Sequence, residues 1–142
     1  MDVKDLMVGD IVLYFDDADL ISVKVVNIDG KGEIVRLQNA EGHTFNVMSE
    51  SLIPVPLTTK ILRSNGFNNS QVCCDIFYYK ETLTQASQDG EVVLSIQLIQ
   101  NPESKPGVWE IIGGQFHAHI RYLYQLQHCM KIIGFKKEFV LN

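Results

Sequence analysis

Residues 108–121 read Val108-Trp109-Glu110-Ile111-Ile112-Gly113-Gly114-Gln115-Phe116-His117-Ala118-His119-Ile120-Arg121, and this stretch decides the fold class. Residues 108–112 have the aromatic and β-branched content of a strand. Gly113-Gly114 supplies the positive φ of a type I′ turn, whose twist suits a hairpin. In the returning strand Phe116, Ala118 and Ile120 point one way, while Gln115, His117, His119 and Arg121 point the other. One face is packed and one is wet, the pattern of an antiparallel sheet. From about residue 122 the apolar period becomes helical, with Leu123, Leu126, Met130 and Ile133 on one stripe before Gly134. The helix is expected to cover the apolar face of the sheet, and residues 139–141 to return as a closing strand.

Upstream, residues 91–100 place Val92, Leu94, Ile96 and Leu98 on one face, and residues 72–79 form an aromatic-rich strand. Gln88-Asp89-Gly90 is a turn, and residues 101–107, with two prolines, are a loop. Residues 68–142 therefore read as a four-stranded antiparallel sheet covered by a C-terminal helix. Residues 58–67 read as a helical connector, with Thr58 as N-cap, Ile61 and Leu62 as its apolar face, and Gly66 at the C′ position.

The first 57 residues read as short strands between turn signals. Residues 11–15 are an apolar run. Ile21, Val23 and Val25 alternate, then slip at Val26 before Ile28. Ile34, Val35 and Leu37 follow the tight turn Asp29-Gly30-Lys31-Gly32, and Phe45 and Val47 follow Glu41-Gly42. Pro54 and Pro56 bracket Val55 and mark edge or linker structure. Four or five strands at this spacing suggest an SH3-like small barrel. The fold class is α+β: a β module over residues 1–57, the connector, and the sheet with its helix.

The whole chain has 142 residues, 46% hydrophobic and 20% charged, with a formal net charge of −5. It is long enough to bury a core without metal or disulfide and too apolar to be disordered. No apolar run reaches the ~18 residues of a membrane span. The acidic start Met1-Asp2-Val3-Lys4-Asp5 is not a secretory signal, and three cysteines, two of them adjacent, do not make a disulfide framework. A cytoplasmic setting is expected. Charge is uneven: residues 1–57 carry ten acidic and four basic side chains, net −6, while residues 58–142 are net +1. Phosphate backbones are gripped mainly by Lys and Arg, so the first module is a poor nucleic-acid binder.

His117-x-His119 is the most metal-like feature, because residues two apart on a strand project from one face. A site needs a third ligand. His128 falls opposite the helix core stripe, pointing to solvent and away from the pair, and His43 lies in the first module. Cys73, Cys74 and Cys129 form no C-x-x-C pair and read as apolar packing. Asp16, Asp17 and Asp19 lack the glycine bend and terminal Glu of a calcium loop. The tripeptide Gly113-Gly114-Gln115 is shared with release factors, but turn chemistry accounts for it. Phe77, Tyr78 and Tyr79, with Tyr122 and Tyr124, offer a stacking surface or ordinary sheet aromatics. No phosphate loop, dinucleotide motif or nucleophile elbow occurs.

Three segments carry a resemblance. They are Leu6-Met7-Val8-Gly9-Asp10-Ile11-Val12; Ile53-Pro54-Val55-Pro56-Leu57-Thr58 with Ile61-Leu62 and Asn65-Gly66-Phe67; and Ile120-Arg121-Tyr122-Leu123-Tyr124-Gln125-Leu126-Gln127-His128 with Ile133-Gly134. Together they resemble a set of uncharacterised proteins of Bacteroides-type gut bacteria, often found in prophage or mobile-element neighbourhoods. The resemblance covers both ends and the connector, and residues 68–119 only in layout. Leu126 and Gln127 match the family helix, whereas Tyr124 and Gln125 stand where His-Glu is usual, so no His-Glu pair carries over. The resemblance implies the architecture and a cytoplasmic setting, and no activity.

The chain is thus expected to be a non-enzymatic interaction or accessory protein, possessing no cofactor and binding a protein partner. Arg121, Tyr122, Tyr124 and Gln127 are its candidate binding residues. The alternatives are nucleic-acid binding through Arg121, Lys131, Lys136 and Lys137 with Tyr122 or Tyr124, and a metal-dependent enzyme at His117 and His119.

Overall fold

Apolar residues alternating between turn signals become strands of two antiparallel sheets, joined by short helical segments, in an α+β fold. The computed structural model describes residues 1–69, 79–86, 93–100 and 105–141. The chain forms two units, Met1–Val55 with Tyr122–His128, and Pro56–Arg121 with Cys129–Asn142.

In the first unit β1 (Ile11–Asp16), β2 (Asp19–Asp29), β3 (Ile34–Gln38) and β4 (Thr44–Met48) form a meander, and β5 (Ile53–Pro54) pairs back onto β1. The order is β4-β3-β2-β1-β5. Val12, Val23, Val25, Val35 and Leu37 point inward and pack with Leu6 and Leu52. Each such side chain contributes about 1.5–3 kcal/mol by leaving water. The slip at Val26 is a β-bulge, since pairing steps from Val25↔Leu37 to Asn27↔Arg36.

Two expectations change here. In the β2–β3 turn neither Gly30 nor Gly32 takes a positive φ; Glu33 does, at 53°. Asp29 Oδ1 accepts from the N–H groups of Lys31 and Gly32 at 3.1 and 3.3 Å, which fixes the first half of the loop and moves the left-handed residue to its end. The SH3-like barrel is not found closed: among the described residues no pairing joins β4 to β5. β5 has two residues, and Pro54 has no N–H to offer a further neighbour.

In the second unit α1 (Thr59–Ser64) starts on Thr58, whose side chain accepts from Ile61 N–H at 3.2 Å, and Gly66 follows its end at φ 90°. Then β6 (Asn68–Asn69), β7 (Tyr79–Ala86), β8 (Val93–Gln100), β9 (Trp109–Gly113) and β10 (Phe116–Ile120) form a five-stranded meander in reverse sequence order, β10-β9-β8-β7-β6. Trp109, Ile111, Ile96 and Leu98 are buried, while the residues between them are partly exposed, so the expected packed and wet faces are present. α2 (Leu123–Ile133) gives its first turns to the first unit and its last to the second. Its Ile133 packs on β9: a Cβ added at Gly113 would lie 2.8 Å from Ile133 Cδ1.

The sheet differs from expectation in three places. β7 is not among the expected strands, because Lys80-Glu81-Thr82-Leu83-Thr84-Gln85 contains one apolar residue and carries little strand signal. Most of the strand expected at residues 72–79, with Cys73, Cys74, Phe77 and Tyr78, and the turn at Gln88-Asp89-Gly90, lie outside the described residues. The β9–β10 turn is Gly114-Gln115 rather than Gly113-Gly114, since Gly113 pairs with Phe116. Gly114 alone takes a positive φ, 59°, the sign pattern of type II′. The Gly113-Gly114-Gln115 tripeptide is thereby accounted for: one glycine admits Ile133 and the next turns the chain.

Residues 139–141 are not a strand. The buried Asn65 side chain substitutes for a neighbouring strand, donating to Val140 C=O and accepting from Val140 N–H, both at 2.9 Å. A third bond runs from Asn65 Nδ2 to Ile61 C=O at 2.8 Å. Asn65→Ala is expected to cost about 2 kcal/mol and to speed hydrogen exchange at the Val140 amide, the direct readout of the lost partner. Among the described residues no helix is long and apolar enough to cross a membrane.

Candidate functional site

His117 and His119 project from β10 on the face opposite buried Ile120, as their spacing requires. The ladder supplies what the spacing alone lacked. Glu110 stands opposite His119 in β9, and its Oε1 lies 2.6 Å from His117 Nε2. The imidazole centroids are 5.4 Å apart, and donor atoms of all three side chains lie within 4.8 Å of one another. The cluster is open to solvent: the His117 side chain is 52% exposed and that of Glu110 39%. Glu110 was discoverable, because either a Gly113-Gly114 or a Gly114-Gln115 turn puts it across from one of the histidines. The signal lay in hairpin register rather than in local spacing.

A second polar cluster sits in the first unit, where the chain enters β1. Gly9 there takes φ 100°, a conformation that strains any residue with a Cβ. Gln127 grips both sides of this bend: its Oε1 accepts from Ile11 N–H and its Nε2 donates to Gly9 C=O, each at 3.0 Å. The adjacent His128 does not point to solvent as the helix wheel suggested. Its Nε2 lies 2.9 Å from both carboxylate oxygens of Asp10, which is fully buried. Asp10 also accepts from Met7 N–H at 2.7 Å. A buried carboxylate needs such partners, and that demand turns His128 inward.

The candidate binding residues Tyr122, Tyr124 and Gln127 belong to this unit, and Arg121 to the other. Tyr122 and Tyr124 are stacked on each other, with centroids 6.1 Å apart and planes at 11°, and Tyr124 meets the His128 ring edge-on at 5.5 Å. Burial, then the Asp5 carboxylate, raises the Tyr124 hydroxyl above the ordinary tyrosine range. Tyr122 N–H donates to Gln125 Oε1 at 3.1 Å, half of a capping box at the start of α2. The segments 6–12 and 120–128 quoted above thus meet through Gln127 and His128, which hold the start of β1 against α2.

The remaining candidates are dispersed. His43 is exposed, 3.5 Å from Glu41. Asp16, Asp17 and Asp19 are exposed at the β1–β2 turn, with Asp17 at φ 53°. Beside them Phe15 and Leu20 pair across the strands and are 52% and 47% exposed. Their neighbours Tyr14 and Ile21 pack on the core, so this pair faces the other way. Sequence reading noted the three carboxylates and missed the apolar pair, which only strand pairing brings together.

Cys129 is buried, and burial pushes its thiol above the ordinary range. At neutral pH it is therefore expected to alkylate far more slowly in the native chain than in urea, which peptide mass spectrometry reads at this residue alone. No protein-family model, curated protein or solved structure matches the chain.

Proposed function

We propose that this protein is a non-enzymatic interaction module that docks a protein partner through the β1–β2 hairpin. The observation that carries this reading is the exposed Phe15–Leu20 pair at the end of a hairpin whose turn carries Asp16, Asp17 and Asp19. An apolar centre with a charged rim is the usual anatomy of a protein-binding surface. The carboxylates and the net −6 of residues 1–57 select a partner segment that is basic and apolar, and disfavour nucleic acid. The first sheet is proposed to be of the SH3-like class, supported by its five-strand order and the 3-10 turn Ser49–Ser51 before β5. A cytoplasmic accessory role of the kind found around prophages and mobile elements agrees with the resemblance at both chain ends.

Affinity capture from lysate of the native host tests the docking surface. Wild-type chain is expected to retain a protein that the Phe15→Ala/Leu20→Ala double variant loses, with retention weakened by salt. Both side chains are half exposed, so the variant keeps its core. Retention of nucleic acid alone, falling steeply with salt, would overturn the reading.

A further inference from the structure

We propose that Glu110, His117 and His119 form an open two-histidine, one-carboxylate site for a divalent transition-metal ion of the zinc or nickel kind. This site belongs to the second unit and is independent of the hairpin offered above as the docking surface. Three observations converge on it. The ligand types are those of open metal sites, which take three protein donors and leave further positions to water or to a donor from a bound molecule. The donors come from paired strands, with Glu110 directly opposite His119 and His117 two residues before it, so the ladder fixes their Cα positions. The donor atoms already lie within 4.8 Å of one another. Bonds of about 2.0–2.2 Å place donors roughly 3–3.5 Å apart in a tetrahedral site, a change that side-chain rotation covers.

The 2.6 Å contact between His117 Nε2 and Glu110 Oε1 fits the same reading. At that distance the two atoms are hydrogen-bonded, and a divalent cation held by both replaces the bridging hydrogen while drawing His119 in as the third donor. Imidazole with carboxylate favours zinc, nickel, copper or iron over calcium and magnesium, which prefer oxygen alone. The exposure of all three side chains leaves the ion accessible, as exchangeable and catalytic sites are and closed structural sites are not.

Untagged chain, stripped with chelator and with its accessible thiols alkylated under native conditions, is titrated calorimetrically with Ni²⁺ and with Zn²⁺. One ion per chain is expected. His119→Ala and Glu110→Gln are each expected to weaken binding at least about tenfold, since loss of even an outer-shell partner costs that much. His43→Ala, on an exposed turn of the other unit, is expected to bind as wild type. No stoichiometric binding, or unchanged binding by His119→Ala and Glu110→Gln, overturns the proposal. Paramagnetic broadening by Ni²⁺ in amide spectra of the unmodified-sequence chain supplies a second readout. Broadening centred on residues 110, 117 and 119 supports the site, and broadening centred elsewhere overturns it.

Discussion

Asp10→Ala is expected to destabilise the first unit by about 3–5 kcal/mol, the cost of taking a buried acceptor away from two donors that it holds. Its carboxylate is fully buried and receives Met7 N–H at 2.7 Å and His128 Nε2 at 2.9 Å. Alanine leaves both without this acceptor and opens a void next to Gly9. Asp10→Asn keeps the size and one acceptor oxygen and is expected to lose less than half as much. His128→Ala is expected to cost less than Asp10→Ala, because the carboxylate then keeps the Met7 N–H and water can enter where the 22% exposed imidazole stood. Urea unfolding followed by circular dichroism measures all three, and the Asp10→Ala/His128→Ala double variant gives the coupling. An Asp10→Ala chain within about 1 kcal/mol of wild type would show that the pair is not holding β1 to α2.

Trp109→Ala is expected to cost the second unit about 3–5 kcal/mol. The indole is 1% exposed, on the inner face of β9, and its Nε1–H donates to Leu57 C=O at 3.1 Å. Truncation therefore creates the largest cavity this sheet can suffer and strips the Leu57 carbonyl of its side-chain donor. Trp109→Phe separates the two effects: it keeps most of the ring and is expected to lose only about 1–2 kcal/mol, mostly the hydrogen bond. Because this is the chain's one tryptophan, unfolding is followed by circular dichroism. Near-equal losses for the two substitutions would mean that the hydrogen bond, not the packing, dominates.

Much of this architecture is legible in local pattern. The alternation at residues 116–120, the Thr58 cap, the bulge at Val26 and the helical stripe from Leu123 all report local geometry, where side-chain period and backbone preference agree. What local pattern does not carry is partner choice. Strand β7 is mostly polar between Lys80 and Gln85 and is held by β8 pairing along it. The tail at residues 139–141 has strand-like residues but pairs with the Asn65 amide instead of a ladder.

The sites follow the same rule. His117 and His119 are visible as a pair from spacing, whereas Glu110 joins them only through cross-strand register. His128 looks solvent-facing on a helical wheel, since a wheel knows nothing of a carboxylate buried 118 residues away in sequence. Phe15 and Leu20 look like ordinary strand residues until their pairing shows them side by side on the face turned from the core.

The interaction reading stands on that hairpin, and site-specific photocrosslinking tests it most directly. The photoreactive residue p-benzoylphenylalanine is placed at position 15 in one chain and at exposed position 50 in another, and each is irradiated in the native host. A discrete protein adduct from position 15, absent from position 50, is the predicted result. No adduct at position 15, or the same adducts from both positions, would contradict it.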